Sequence, residues 1–538
     1  MNYIGTARPI HDAKGKATGY SKYAGDISLS NMAYLCMLHS KIPHGYVKAV
    51  HAEKALALPG VYGVYHCLNT SERKYNRYRS SFDQAYLANE ERAFNQYVRF
   101  VGDKIGAVAA CDQETAERAA RLVEVEYEEL PFSIGFDDTL AGKNCLEGET
   151  PVRDEYTLEV GKKQESTEGL IEVCSTMELP RLHHATMETH ACIADYDPYS
   201  DMLTVYCPNQ AVHGIRTVLA DFLEMPESHV RVVKATMGGS FGAKQEWFLE
   251  PVTALVAKKL CRPVKLVYSR GEAMTDTIVR GAMRMSARGY YTPDGEMKEI
   301  YCDVTLDAGA YIGNAGDYVR ALAGKPTRCY RIPYMHYHGQ VISSNSPVSG
   351  AFRSWSAAEE ALMMERQLDA AAEKLGMDRL AIRLKNVARS GEEDKKLHLS
   401  LEDIRIGDAI TLGSEKFGWD KLKAEDAAFN TSQQRYRRGV GIGIGGHGNT
   451  YFPRFNDYGE GSISLNADGS MQANFTLHDH GCGTVTAMRM IAAEVLKVPE
   501  DKIYMTEGDT AVTPIDYGWL PAARPMWSAA PCRMRRTP

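Results

Sequence analysis

Alternation of apolar and polar residues in the first quarter of the chain predicts a compact unit of mixed strands and helices. Residues 105–110 form an apolar run typical of a buried strand, and residues 113–122 place apolar side chains at helical spacing. Residues 122–127 then alternate apolar and charged side chains, as a half-buried strand does. We therefore expect an α+β domain over residues 1–135.

Two further domains are predicted along the rest of the chain. Residues 136–165 are polar with few large apolar side chains, and we interpret them as a linker to a second domain over 166–404. The clearest helix of that domain is expected to begin at Ser356, with Glu359 three residues later as in a capping box. Its apolar periodicity continues to Gly376, a residue type suited to end a helix.

The third domain, expected over 405–538, contains an echo of the second. Residues 223–230 have the sequence LEMPESHV, and residues 496–503 have the sequence LKVPEDKI. Each octet follows a stretch of helical periodicity that begins after a loop with ligand-binding character, at Gln210 and at 481–483. We expect two related domains that present these loops to opposite sides of one ligand.

Composition excludes several classes of protein. Of 538 residues 44% are hydrophobic, and the net charge of −7 argues against a nucleic-acid partner. No apolar stretch reaches the roughly 18 residues of a membrane span, and the first residues lack signal-peptide features. The 12 cysteines are scattered without a C-x-x-C pair, which disfavours an iron–sulfur cluster or a disulfide framework. We expect a cytoplasmic protein without a membrane partner.

The stretch MGGSFGAKQE at 237–246 carries the strongest local signal. It follows the apolar run 230–233, which predicts a strand, and glycines after a strand allow the backbone to approach a ligand closely. Phe241 lies between glycines and offers a ring face or a backbone amide. Taken alone, the same stretch is also compatible with a simple tight turn.

Other candidate motifs are disfavoured. Residues 441–446 satisfy G-x-G-x-x-G, but the residues after them cannot begin the helix that dinucleotide binding requires. Lys244 has alanine before it and glutamine after it, where a phosphate-binding P-loop needs Gly and Ser or Thr. The histidines at 183, 184 and 190 lack a clear zinc-ligand spacing, and we expect structural roles for them.

Several segments together resemble the molybdenum hydroxylases, the xanthine dehydrogenase and aldehyde oxidoreductase family. Residues 237–246 resemble the family's first cofactor loop, residues 208–210 (PNQ) its glutamine loop, and residues 350–353 (GAFR) its A-F-R loop. Residues 98–103 (VRFVGD) are similar to the signature of its N-terminal domain. The resemblance extends over 15–518. It implies an N-terminal hammerhead-like domain followed by two related molybdopterin-binding α+β domains, the last incomplete.

The resemblance also implies the residues around a molybdenum–molybdopterin cofactor. Gln210, Phe241 and Arg353 are expected around the metal, and Gln245 is expected to face substrate. The family's general base is a glutamate in a G-x-G-E segment, which would lie beyond Pro538, so the catalytic residue stays unassigned. The other cofactor-binding positions implied are Gly239, Gly242, Ala351, Phe352, Gly481 and Gly483.

This chain departs from the family pattern in two of these loops. Cys482 stands where the family usually has a glutamine side chain. Ser354-Trp355-Ser356 replaces a glycine-rich continuation of the A-F-R loop, which predicts a pocket of different shape.

The activity implied is hydroxylation of an N-heterocycle with water-derived oxygen, with a purine such as xanthine or hypoxanthine favoured. Because the chain lacks clustered cysteines and a credible flavin site, we expect the 2Fe–2S centres and FAD on partner subunits of a hetero-oligomer. The alternatives are an aldehyde or other heterocycle oxidoreductase subunit, and an inactive truncated remnant.

The last residues change character. Residues 518–538 contain no Asp or Glu but four prolines and four arginines. One choice of codons for 520–527, translated in another frame, yields a family-like sequence. We hypothesise a frameshift near Gly518 that truncated the third domain, and we expect such a chain to be inactive alone.

Overall fold

The computed structural model describes residues 3–77, 89–146, 150–432, 435–447 and 459–515. The N-terminal part has the strands and the helix that the apolar pattern predicts, although the last strand begins two residues later than expected. Its helices are α1 (Ala13–Thr18), α2 (Glu53–Leu56), α3 (Gln113–Ala120) and α4 (Phe136–Leu140), and its strands are β1 (Ala33–His39), β2 (Gly45–His51), β3 (Val61–His66), β4 (Lys74–Tyr75), β5 (Glu91–Arg92), β6 (Tyr97–Val98), β7 (Lys104–Ala110) and β8 (Glu124–Glu129).

The middle of the chain is the largest part, and its described residues contribute to a seven-stranded, a five-stranded and a two-stranded sheet. Its strands are β9 (Val152–Gly161), β10 (Ile171–Leu179), β11 (Ala191–Asp197), β12 (Met202–Cys207), β13 (Val230–Lys234), β14 (Val264–Val267), β15 (Ala282–Tyr291), β16 (Met297–Asp307), β17 (Tyr334–Ile342), β18 (Glu393–Asp394) and β19 (Leu399–Ser400). Its helices are α5 (Val212–Leu223), α6 (Glu250–Leu260), α7 (Arg270–Asp276), α8 (Ala315–Leu322), α9 (Pro326–Cys329), α10 (Ala357–Leu375) and α11 (Arg379–Asn386).

The first and second parts share one sheet. Seven strands lie in the order β13-β12-β11-β14-β1-β7-β3, and β1 pairs in parallel with β14 from Ala33 opposite Val264. A second sheet has the order β10-β15-β16-β17-β9. The interpretation of 136–165 as a linker is therefore wrong over Val152–Gly161, because this segment is an edge strand paired with β17. This strand has few apolar side chains because only one of its faces is covered. Its composition therefore resembles that of a linker.

The longest helix begins differently from the expectation. Ser356 precedes α10 with φ of 63°, and its side chain makes no capping hydrogen bond, so the predicted capping box is absent. Its hydroxyl instead accepts a hydrogen bond of 2.9 Å from the Lys325 ammonium, a long-range contact that local sequence does not reveal. Gly376, with φ of 64°, ends the helix as predicted.

Where the structure describes it, the third part contributes a small sheet and three helices. The octets that echo one another occupy equivalent positions, each after a helix whose last turn closes with a left-handed residue, Glu224 or Lys497. A short 3-10 turn and a strand then follow in both places. Its elements are α12 (Ile406–Phe417), α13 (Trp419–Thr431), β20 (Gly461–Leu465), β21 (Met471–Phe475), α14 (Thr484–Leu496) and β22 (Ile503–Thr506).

The two related units dock through the edge strand β13. The Lys234 N–H donates to the Gly508 carbonyl at 2.8 Å, and Thr510 pairs with Val232 through both backbone and hydroxyl. Arg231 adds two hydrogen bonds of 3.0 and 2.6 Å to the Asp509 carboxylate. The sequence echo thus corresponds to two β-β-α-β units joined at their edges. The predicted aberrant tail, 518–538, lies outside the described residues.

Candidate functional site

Three loops from distant parts of the chain meet beside the seven-stranded sheet. We name them the Gln210 loop (208–210), the Phe241 loop (237–246) and the Arg353 loop (350–356). The Gln210 loop follows β12, the Phe241 loop follows the neighbouring parallel strand β13, and the Arg353 loop precedes α10. Loops after adjacent parallel strands emerge at one edge of a sheet, and this explains why the first two lie together.

Gln210 is held between these loops. Its backbone N–H donates to the Lys244 carbonyl at 2.9 Å, and its side-chain oxygen accepts from the Ser240 hydroxyl at 2.6 Å. Gln210 is only 2% exposed. With the carboxamide oxygen engaged, the NH2 group is the end of the side chain that can donate to a ligand.

The Phe241 loop and the Arg353 loop pack backbone against backbone. A Cβ on Gly242, whose φ is 104°, would lie 2.4 Å from the Ala351 carbonyl oxygen, so a side chain does not fit there. The Arg353 N–H donates to the Phe241 carbonyl at 2.8 Å. Phe241 itself has φ of 55° and is 48% exposed, a strained backbone that displays its ring rather than burying it. Gly239, with φ of 96°, lies against the edge of that ring.

Two side chains outside the predicted set fix the Arg353 loop. The His184 ring donates through Nε2 to the Ala351 carbonyl at 2.8 Å and stacks on Phe352 with a centroid distance of 4.2 Å. The Arg280 guanidinium lies 4.2 Å from the centroid of the same Phe352 ring and donates to the Arg353 carbonyl at 2.8 Å. The Arg353 side chain remains exposed beside them.

The residues that replace the family's glycine-rich continuation adopt glycine-like backbone conformations. Ser354, Trp355 and Ser356 have φ of 80°, 41° and 63°. Left-handed conformations at non-glycine residues are costly, on the order of 1–2 kcal/mol each. The loop therefore keeps a backbone path suited to glycine while presenting side chains along it.

Residues 244–246, the last part of the Phe241 loop, are buried. The Lys244 ammonium contacts a carboxylate oxygen of Glu188 at 2.5 Å, and burial lowers the pKa of Lys244 despite that partner. Gln245, the predicted substrate-facing residue, is only 3% exposed. Glu246 is 1% exposed and accepts from the Asn314 side chain at 2.8 Å. Burial raises the pKa of Glu246 to about 8.

The histidines of this region have structural roles, as predicted. His190 donates through Nε2 to the Ala243 carbonyl at 3.0 Å, as His184 does to the Arg353 loop. Burial lowers the pKa of His190 to about 3 and that of His184 to about 4, so both rings are neutral near pH 7. Neutral rings with one N–H each suit backbone carbonyl partners. Among the described residues, no group of His, Cys, Asp and Glu is arranged to hold a metal directly.

A fourth loop, 479–484, precedes α14 as the Gln210 loop precedes α5. The Asp479 carboxylate accepts from three backbone N–H groups, those of Gly481, Gly483 and Val485. Burial raises the pKa of Asp479, but these donors outweigh it and lower the pKa overall. Gly481 has φ of 106° and open space where a Cβ would be, so a ligand can approach its backbone. The exposed Cys482 thiol lies 2.9 Å from the Thr484 hydroxyl.

Comparison with known protein families matches each part of the chain in order. Residues 18–131 match the a/b hammerhead domain of aldehyde oxidase and xanthine dehydrogenase, and residues 149–387 and 412–523 match molybdopterin cofactor-binding domains. The chain is 30% identical, over 97% of its length and 69% of the relative, to the xanthine dehydrogenase molybdenum-binding subunit of Escherichia coli O157:H7. The chain belongs to the molybdenum hydroxylase family. Its expected fold class is thereby confirmed.

A second relative agrees with this assignment, and two solved structures share the fold. A probable xanthine dehydrogenase subunit of Bacillus subtilis (strain 168) is 31% identical over 96% of this chain and 67% of its own length. Quinoline 2-oxidoreductase from Pseudomonas putida 86 superposes with a TM-score of 0.86 at 22% identity, covering 98% of this chain and 70% of that one. Aldehyde oxidoreductase from Desulfovibrio gigas gives 0.83 at 24% identity, covering 95% and 57%. These two structures establish the fold.

Within the described residues, no helix is both long and apolar enough to cross a bilayer.

Direct contacts join three of the predicted site segments, the Gln210, Phe241 and Arg353 loops. Gly481 and Gly483 lie on the third part, which docks against the second. The sequence did not indicate His184, Arg280, Ser240 or Glu246 as contributors, because they act on groups of other loops and have no signature of their own.

Proposed function

We propose that this chain is the molybdenum-cofactor-binding subunit of a hydroxylase that oxidises a purine or a similar N-heterocycle. The observation that carries the proposal is the joining of the Phe241 and Arg353 loops at Gly242, where any Cβ would strike the Ala351 carbonyl. The relative with 30% identity is named as the molybdenum-binding subunit of a xanthine dehydrogenase, which favours a purine substrate.

The residues present fit a molybdenum–molybdopterin group. A Cβ on Gly481 would meet nothing within 4 Å, so its backbone is open to a ligand, whereas Gly242 is covered by the Ala351 carbonyl. The absence of a direct His, Cys, Asp and Glu metal cluster among the described residues suits a metal held by an organic cofactor. When bound, the cofactor would supply the two-electron redox chemistry of the hydroxylation.

The chain's own residues would bind and orient. Ser240 occupies the side-chain oxygen of Gln210, so its NH2 group would be the end that donates to an oxygen ligand of the metal. The Phe241 ring is displayed by a left-handed backbone and would form an apolar wall beside that oxygen. The exposed Arg353 guanidinium, with its backbone tied to Phe241 and Arg280, would attract anionic oxygens. Gln245 would contact substrate from the base of the same loop.

Electrons would leave through 2Fe–2S and FAD groups on partner subunits, within a cytoplasmic hetero-oligomer. The chain's cysteines are scattered, and the described ones include several that are fully buried, so they offer no clustered thiolates.

The test is to coexpress the chain with its 2Fe–2S and FAD partner subunits. Molybdenum content is measured by mass spectrometry, and oxidation is assayed with xanthine, hypoxanthine, nicotinate and an aldehyde. About one molybdenum per chain with preference for a purine supports the proposal. Bound molybdenum with preference for another substrate would assign a different hydroxylase. A chain that folds and binds no molybdenum would be the inactive remnant.

A further inference from the structure

A small cavity lies beneath the Gln210 and Phe241 loops. Its volume is about 10 Å³, and its polar lining comes from His190, Asn209, Lys244, Glu246 and Glu250. A volume of this size accommodates about one water molecule, and a buried water needs two to four polar partners. The cavity is therefore both large enough and polar enough for a single water.

Two buried polar atoms of residues that line the cavity have no hydrogen-bond partner among the described residues. These are Nδ1 of His190 and Oε2 of Glu246, on side chains of residues that are 6% and 1% exposed. The other nitrogen of His190 donates to the Ala243 carbonyl, so Nδ1 carries a lone pair that can only accept. Leaving such groups unpaired costs on the order of 1–3 kcal/mol each, and a shared water removes that cost.

The second carboxyl oxygen of Glu246 reaches the Arg353 loop. Oε1 accepts from the Asn314 side chain at 2.8 Å and from the Ala351 N–H at 3.3 Å. A Cβ on Gly350 would lie 2.5 Å from the same oxygen, so the loop backbone passes directly over the carboxyl group. Glu246 is therefore part of the Phe241 loop, and its side chain binds the backbone of the Arg353 loop.

We propose that Glu246 is a positioning residue that joins these two loops, with Oε1 on the Arg353 loop backbone and Oε2 on a single buried water shared with His190. The proposed function enters only in naming the two loops as cofactor-binding. Because Ala351 lies two residues from Arg353 and the Phe241 carbonyl binds the Arg353 N–H, a displaced Glu246 would move both sides of the site together.

Glu246→Gln and Glu246→Ala test the proposal, with Glu299→Gln and Glu299→Ala as matched controls. Glu299 is 0% exposed and both of its oxygens are hydrogen-bonded, to the Gln164 N–H and the Tyr301 hydroxyl, but it lies on the five-stranded sheet away from the loops. Glutamine keeps Oε1 as an acceptor and places an NH2 donor toward the water, so it should rescue what alanine loses.

The first readout is hydrogen–deuterium exchange of peptides covering 350–357 in the cofactor-free protein. We expect at least tenfold faster exchange in Glu246→Ala, less than twofold change in Glu246→Gln, and no local change in either Glu299 variant. Molybdenum content in the coexpressed complex should follow the same order. Equal exchange in the two alanine variants, or no rescue by glutamine, would overturn the proposal.

A crystal structure of the unmodified chain supplies the second readout, which stands even if Glu246→Ala fails to fold. We expect one ordered water within hydrogen-bond distance of both Glu246 Oε2 and His190 Nδ1. A dry cavity, or a protein group on Oε2, would overturn the proposal. If the unmodified chain binds no molybdenum while the water and the exchange pattern are found, the proposed function fails and the positioning role stands.

Discussion

Replacing Ser354 by glycine should stabilise the protein, because the loop before α10 holds side chains on a backbone path suited to glycine. Ser354 has φ of 80°, and its hydroxyl is buried without a hydrogen-bond partner among the described residues. The serine therefore contributes both backbone strain and an unsatisfied polar group.

The magnitude follows from three contributions. Relief of the left-handed conformation is worth about 1–2 kcal/mol. Removal of the unpaired hydroxyl adds about 1 kcal/mol, and the greater freedom of glycine in the unfolded chain costs about 0.5–1 kcal/mol. We expect a net stabilisation of about 1–2.5 kcal/mol, which corresponds to a rise in Tm of roughly 2–10 °C for a unit of this size.

Ser356 provides the matched comparison. It has φ of 63°, but its hydroxyl accepts a 2.9 Å hydrogen bond from the buried Lys325 ammonium. Loss of a hydrogen bond to a charged group costs about 1.5–3 kcal/mol, and the freedom of glycine in the unfolded chain costs about 0.5–1 kcal/mol more, so together they outweigh the strain relieved. Differential scanning calorimetry of both variants should therefore show Ser354→Gly above the unmodified chain and Ser356→Gly below it. A Ser354→Gly variant with unchanged or lower Tm would refute the reasoning.

Three further predictions follow from individual residues. Gly242→Ala should lower the Tm by several degrees, because its Cβ would lie 2.4 Å from a carbonyl oxygen at a φ of 104°. Gly413→Ala is the control in open space within α12, and it should raise stability by up to about 1 kcal/mol. Burial raises the pKa of Glu250 to about 7, above its value in the unfolded chain. Its contribution to folding stability is therefore fully present below about pH 4.5, and it is lost as the pH rises to about 7. In urea unfolding, the free energy of unfolding of Glu250→Gln should rise relative to that of the unmodified chain by about 1.4 kcal/mol per pH unit in that window. A double-mutant cycle of Arg231→Ala and Asp509→Ala should give a coupling of about 0.5–1 kcal/mol, since the arginine side chain is 43% exposed.

Each of these predictions has a contrary outcome. Equal melting temperatures for the two glycine variants would show that the close backbone approach at Gly242 is not required. A Glu250→Gln difference that is constant between pH 4.5 and 7 would show that this carboxyl is ionised in the folded protein. Zero coupling between Arg231 and Asp509 would show that this ion pair does not stabilise the docking of the two related units.

Much of the local structure was predictable because it depends on short-range pattern. The buried strand at Lys104–Ala110, the glycine that ends α10 at Gly376 and the loop positions of Gln210 and Phe241 all follow from residue type and spacing. The echo between 223–230 and 496–503 also predicted two related units correctly, since the same turn chemistry produces the same helix end in both.

Other features depended on partners far along the chain. Val152–Gly161 resembles a linker in composition because an edge strand covered on one face has few apolar side chains. The expected cap at Ser356 is absent because its backbone is left-handed where an N-cap is extended, and its hydroxyl binds Lys325 instead.

By itself, the sequence determined the family and pointed to the loops of the candidate site, because the motifs that resemble the family are short and continuous along the chain. Only the tertiary structure decided how the loops are held. His184 and Arg280 secure the Arg353 loop, and Glu246 reaches it from the Phe241 loop, through hydrogen bonds to backbone groups. Such contacts use atoms that every residue possesses, so no pattern of side chains along the chain reveals them.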